Sequence, residues 1–163
     1  MIATLPEKFD AERLWKEYQS FGITTRGVHI SSPDGSTYDV GSGNIYTYDE
    51  TDQNKWTNVN KMFRGTYLEE VYNQVDKKYR VCRARFMLMT PEYRAYSYHY
   101  DQSKRLHIPV KTNRDCMFLI NDVVYRMPEE GRLYSMDTIQ MHTALNLSWE
   151  NRLHIVFCVR NDT

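Results

Sequence analysis

His99 and Asp101 stand two residues apart in the run Tyr96-Ser97-Tyr98-His99-Tyr100-Asp101. On an extended strand, residues i and i+2 project to the same side, so this imidazole and carboxylate could converge on one ion. Two histidines and one carboxylate on one face of a cation, with the other positions open, suit non-haem Fe(II) and its oxygen chemistry. The second histidine has to come from elsewhere in the chain. His142, in Met141-His142-Thr143-Ala144-Leu145-Asn146, is the best candidate, because it opens a later strand among polar neighbours. An iron site working with 2-oxoglutarate also needs a fixed cation for the far carboxylate of that co-substrate, and the planar fork of arginine fits a carboxylate in two places. Arg152 lies ten residues beyond His142 at the head of the last strand. Each residue has an ordinary alternative: a hydrogen-bonded His-x-Asp pair, a satisfied polar histidine, a salt-bridged strand arginine. The ordered combination is what points to a metal site.

The elements that must position these residues change character along the chain. A first helix is expected after Asp10 as N-cap, with Leu14, Trp15, Tyr18 and Phe21 on one face and Gly22 at its end. A second begins at Thr66, with Glu69 completing a capping box, and lines up Leu68, Val71, Tyr72 and Val75. Between them, residues 31–54 hold most of the turn formers and read as a long irregular connection. After Tyr79 the period becomes two. Arg80–Met89 sets Cys82, Ala84, Phe86 and Leu88 against Val81, Arg83, Arg85 and Met87. Further strands are expected at Ala95–Asp101, Arg105–Lys111, Cys116–Ile120, Val123–Met127, Leu133–Met136, His142–Asn146 and Arg152–Val159. Short strands broken by turns every eight to twelve residues indicate a sandwich, jelly roll or barrel. Arg83 and Arg85 are either solvated strand residues or lie at a pocket mouth, paired with a substrate carboxylate.

Composition narrows the function. At 163 residues the chain is one domain's worth, enough to bury roughly 70% of its unfolded surface. Twenty-one basic and 21 acidic side chains cancel, which speaks against general binding of nucleic acid or anionic membranes. No run of about 18 apolar residues suggests a membrane span, and Met1–Asp10 lacks the apolar core of a secretion signal. Three unpatterned cysteines, Cys82, Cys116 and Cys158, fit a reducing cytoplasm.

The segments 83–113, 125–146 and 151–157 together resemble the aspartyl/asparaginyl β-hydroxylase-like branch of the Fe(II)/2-oxoglutarate dioxygenases, which also holds the free-proline cis-hydroxylases. The shared elements are His99-x-Asp101, the strand Arg105-Leu106-His107-Ile108-Pro109, a Gly-bearing turn, His142-x-x-x-Asn146, and Arg152. The resemblance implies a double-stranded β-helix (jelly roll, cupin-like), mainly β with N-terminal helices. It implies Fe(II) on His99, Asp101 and His142, and 2-oxoglutarate anchored by Arg152 with a further polar contact from His107. Asn146 would cap a turn. Some aspartyl hydroxylases of this branch lack the carboxylate ligand, whereas Asp101 is present here. A serine that contacts co-substrate in some members has no counterpart, since Met87 and Met89 occupy that region. The His99 strand and the His142 strand would be antiparallel neighbours, with Arg152 entering the facing sheet through a turn at 148–151.

The implied activity is hydroxylation of an unactivated C–H bond of an amino acid or peptidyl side chain, with release of succinate and CO2. Rival readings are a non-catalytic jelly-roll binding module and a cupin-type hydrolase or isomerase using zinc or manganese. The whole chain, 1–163, is expected to be one domain, with a helical and irregular part (1–78) packed on a jelly-roll core (79–163). If Ser97, His99 and Asp101 face inward, Tyr96, Tyr98 and Tyr100 face outward, where the N-terminal helices would cover them or a homodimer or peptide surface would form.

Overall fold

The computed structural model describes residues 1–36, 40–41 and 52–161. The chain runs β1 (Ile2–Lys8), α1 (Ala11–Ser20), β2 (Gly27–His29), β3 (Ser31–Ser32), β4 (Val40–Gly41), β5 (Asn58–Val59), α2 (Tyr67–Tyr79), β6 (Val81–Met89), β7 (Arg105–Lys111), β8 (Cys116–Ile120), β9 (Val123–Tyr125), β10 (Arg132–Met136), β11 (His142–Asn146) and β12 (Arg152–Val159). Seven strands form an antiparallel sheet in the order β1-β10-β7-β12-β6-β2-β4, and β11-β8-β9 form a smaller one. From β7 onward the chain crosses to the small sheet for β8 and β9, returns for β10, crosses for β11 and returns for β12. That alternation is a double-stranded β-helix.

The large sheet is buried on both faces, and β12 shows how. Leu153, Ile155 and Phe157 join the core shared with α1 and α2, which includes Leu14, Leu68, Val71 and Val75. The residues between them, Arg152, His154, Val156 and Cys158, face the small sheet. Its side of that interior is built from Phe118, Ile120 and Ala144, packed with Met89, Tyr134 and Met136. Both helices start as the sequence indicates. The Asp10 side chain accepts from Arg13 N, and the Thr66 hydroxyl accepts from Glu69 N. Glu69 reaches back one residue further than a standard capping box, to Gly65 N. Among the described residues no helix is long and apolar enough to cross a membrane.

Four expectations need correction. Residues 1–78 are not only helical and irregular, since β1, β2 and β4 extend the large sheet at both edges. Within the connection at 31–54, Ser31 and Ser32 pair with β5, while residues 37–39 and 42–51 lie outside the described ones. Residues 95–101 form no strand and touch β11 only through the isolated bridges Ala95–Leu145 and His99–His142. The outward tyrosine row therefore breaks. Tyr96 packs into the interior cluster, while Tyr98 and Tyr100 are exposed. Trp15, Tyr18 and Phe21 are spent on the opposite face of the large sheet, so the helices cannot cover them. Finally, the β6–β12 register shifts between Val156 and Cys158, with Arg83 in the left-handed region at φ 45°. This bulge makes Cys82 the partner of Cys158, on the interior face and not beside Ala84 and Phe86.

The turn into β10 depends on Gly131. Its φ is 82°, its N–H donates to Pro109 O, its carbonyl accepts from Phe9 N, and an added Cβ would lie 2.2 Å from Phe9 O. Gly131→Ala is expected to cost about 2–3 kcal/mol, read as a lower urea midpoint at unchanged slope.

Candidate active site

His99 and His142 exchange both backbone hydrogen bonds, His99 N to His142 O at 3.0 Å and the reverse at 2.7 Å. Such a pair sets two side chains side by side, and the ring centroids are 4.5 Å apart. Asp101 is brought in by a turn and not by strand alternation: its N–H donates to Thr138 O, and the Thr138 hydroxyl donates to Ser103 O. One ligand atom each from His99, Asp101 and His142 fall within 4.8 Å of one another.

The local hydrogen bonds fix what those atoms offer. His99 Nδ1 lies 2.6 Å from Ser97 O and His142 Nδ1 lies 2.8 Å from Gln140 O. Each ring N–H is thereby committed to a carbonyl, which leaves a lone pair on each Nε2. Asp101 Oδ2 is buried without a hydrogen-bond partner and sits 3.3 Å from His142 Nε2. Three electron-pair donors this close repel one another, and a divalent cation among them converts the repulsion into coordination. The donor set fits Fe(II). The other oxygen, Asp101 Oδ1, is held by the Arg105 guanidinium. Burial raises the Asp101 pKa, but the charge of Arg105 opposes it and the carboxyl stays below its ordinary value.

The triad opens into a cavity of about 290 Å³ between the two sheets, at the small end for a ligand pocket. Arg152 lines it, 1% exposed, its guanidinium 4.9 Å over the Phe118 ring and its Nη2 3.0 Å from His154 Nδ1. Burial pushes its pKa down to about 10, so it stays charged at neutral pH. Its Nε is buried without a partner. His107 also lines the cavity, its Nδ1 3.3 Å from His154 Nδ1. Arg83 and Arg85 line it too, 7% and 3% exposed, so they are not solvated strand residues. Met87 stands in the wall.

Asn146 caps the turn that carries the chain from β11 to β12. Its Oδ1 accepts from Ser148 N, and its Nδ2 donates to Met89 O and Glu150 O. Sequence reasoning missed three residues of the site. Arg105 grips Asp101, Tyr96 turns inward, and His154 pins Arg152 from two positions along the same strand. The i, i+2 rule applied to Arg152 would have found His154.

Residues 42–161 match the family model for aspartyl/asparaginyl beta-hydroxylase. The chain belongs to that family. It is accordingly an oxygenase of hydroxylase type. No curated protein matches it. Similar solved structures include AviO1 from Streptomyces viridochromogenes Tue57, at 13% identity and TM-score 0.49 over 99% of this chain and 91% of that one. IDO from Bacillus thuringiensis gives 12% and 0.48 over 91% and 83%. The Escherichia coli ribosomal oxygenase YcfD gives 13% and 0.46 over 99% of this chain and 48% of that one.

The two interior histidines make the fold acid-sensitive. Burial, then the nearby Arg152, keeps the pKa of both His107 and His154 well below the ordinary value. The unfolded chain takes up protons near pH 6.5 while the folded one refuses them. Stability is therefore full above about pH 6.5 and falls as pH drops below it, by up to about 1.4 kcal/mol per pH unit for each histidine. Urea midpoints from pH 7.5 to 5 should show the decline, and His154→Gln should make it roughly half as steep.

Proposed function

We propose that the chain is an Fe(II)- and 2-oxoglutarate-dependent hydroxylase of an amino acid or a peptidyl side chain. The observation that carries this reading is the convergence of two tautomer-fixed imidazoles and the partnerless Asp101 Oδ2, in one cavity with a buried arginine. His99, Asp101 and His142 would hold the metal. Arg152 would take the far carboxylate of the co-substrate, with Phe118 and His154 fixing its fork, and His107 would supply a further polar contact. Bound Fe(II) and 2-oxoglutarate supply the oxidation, in which dioxygen, 2-oxoglutarate and a C–H bond become succinate, CO2 and C–OH.

The protein's own part is to position groups and exclude water. The carbonyls of Ser97 and Gln140 keep both imidazoles in the ligating tautomer. Arg105 keeps the Asp101 carboxylate ionised and oriented. Phe118, Ala144 and Val156 give the interior apolar walls. Three cysteines, all free among the described residues, agree with the cytoplasm as its place of work. The test is succinate release screened against free amino acids and a peptide panel, with mass detection of one added oxygen atom. Succinate formation that depends on both Fe(II) and 2-oxoglutarate is expected. Turnover without 2-oxoglutarate would favour the cupin-type hydrolase.

A further inference from the structure

Three buried side chains meet at a single nitrogen. Arg152 Nη2 lies 3.0 Å from His154 Nδ1, and His107 Nδ1 lies 3.3 Å from that same atom. A guanidinium only donates, so His154 Nδ1 accepts from it, and the His154 ring carries its proton on Nε2. The contact between the two imidazoles then takes its hydrogen from His107, which places that ring's proton on Nδ1. His107 is left with a bare lone pair on Nε2, and this nitrogen is buried without a hydrogen-bond partner. Arg152 and His107 both line the cavity and both stand against one ring. The Arg152 guanidinium is 4.9 Å from the Phe118 centroid, and the His107 ring centroid is 5.4 Å from it. An anion seated on Arg152 therefore lies beside His107. A bare lone pair repels a carboxylate, whereas a ring with a second proton donates to it.

We propose that the His107–His154 pair takes up a proton when a carboxylate is seated on Arg152, so that 2-oxoglutarate enters this site as an anion and a proton together. This deepens the co-substrate reading above and rests on it. The proton goes to His107 Nε2, the bare nitrogen of the pair. The imidazolium then donates from Nδ1 to His154 and from Nε2 to the carboxylate. The groups facing the pair are Arg152 on β12, Arg105 on β7, Arg85 on β6, His142 on β11 and the phenol of Tyr134, which pairs with His107 in register on β10. Without the anion, burial keeps the charge out, and Arg152 is the foremost cation repelling it from both rings. A carboxylate cancels the Arg152 charge and adds an attraction of its own, so the balance for a proton on His107 reverses.

Anaerobic calorimetric titration of the Fe(II)-loaded protein with 2-oxoglutarate, in PIPES and in Tris at one neutral pH, tests this without any variant. The two buffers give up a proton with very different heats, so proton uptake appears as a difference in apparent binding enthalpy. Uptake approaching ~1 proton per ligand is expected, and affinity should fall by up to about tenfold per pH unit as pH rises from about 6.5 to 8. His107→Gln keeps an N–H for the carboxylate but has nothing to titrate. It should bind 2-oxoglutarate within about tenfold of wild type, with equal enthalpies in the two buffers. Equal enthalpies with the wild-type protein, or uptake unchanged in His107→Gln, would overturn the proposal while leaving the co-substrate reading in place. No binding of 2-oxoglutarate to the Fe(II)-loaded wild type would sink that reading and the proposal with it.

Discussion

His142→Ala is expected to lower Fe(II) affinity by at least ~100-fold and to reduce succinate release to background, while the protein stays folded. Loss of a group that only orients a ligand costs 10- to 100-fold, so loss of a ligand itself should cost no less. The side chain is 6% exposed, but its Nδ1 bond goes to a loop carbonyl, and its backbone pairing with His99 does not depend on the ring. Removing it also relieves the crowding against Asp101 Oδ2 in the metal-free protein. A melting temperature equal to or above wild type, together with lost iron binding, separates the metal role from a structural one. Retained iron affinity would mean that His142 is the satisfied polar residue of the ordinary reading.

Arg152→Ala should separate the co-substrate from the metal. Two charge-assisted hydrogen bonds to a carboxylate are worth about 3 kcal/mol or more, so KM for 2-oxoglutarate should rise roughly 100-fold or more. Iron affinity should be unchanged, because the structure shows no contact between Arg152 and the triad. Arg152→Lys keeps a charge but loses the planar fork, and should recover only part of the loss. A zinc or manganese hydrolase would show no response of this kind. Titrating 2-oxoglutarate against each variant at fixed Fe(II) distinguishes the two.

How far the sequence went can be traced residue by residue. β7, β8, β11 and β12 begin and end where alternation and turn formers put them, because each is a short strand with one strongly apolar set and a polar turn at either end. β1 escaped notice because Ile2–Lys8 contains Pro6 and little alternation. It is an edge strand, paired on one side only with β10, and an edge tolerates a proline. The convergence of His99, Asp101 and His142 was legible by residue type and spacing, yet the physical reason differs from the expected one. Asp101 reaches the site through a loop tied down at Thr138, which no period in the sequence encodes. Arg83 and Arg85 were legible as one face of a strand. Their burial was not, since it follows from a second sheet laid over that face by contacts distant in sequence. His154 was hidden by its apolar neighbours Leu153, Ile155 and Val156.

The most direct measurement is anaerobic titration of the purified protein with Fe(II), followed by 2-oxoglutarate. Binding of one Fe(II) per chain is expected, and added 2-oxoglutarate should then produce a weak visible charge-transfer band that His99→Ala abolishes. Folded wild-type protein that binds no Fe(II), or binds it without that band, would contradict the assignment of His99, Asp101 and His142 as an iron centre working with 2-oxoglutarate.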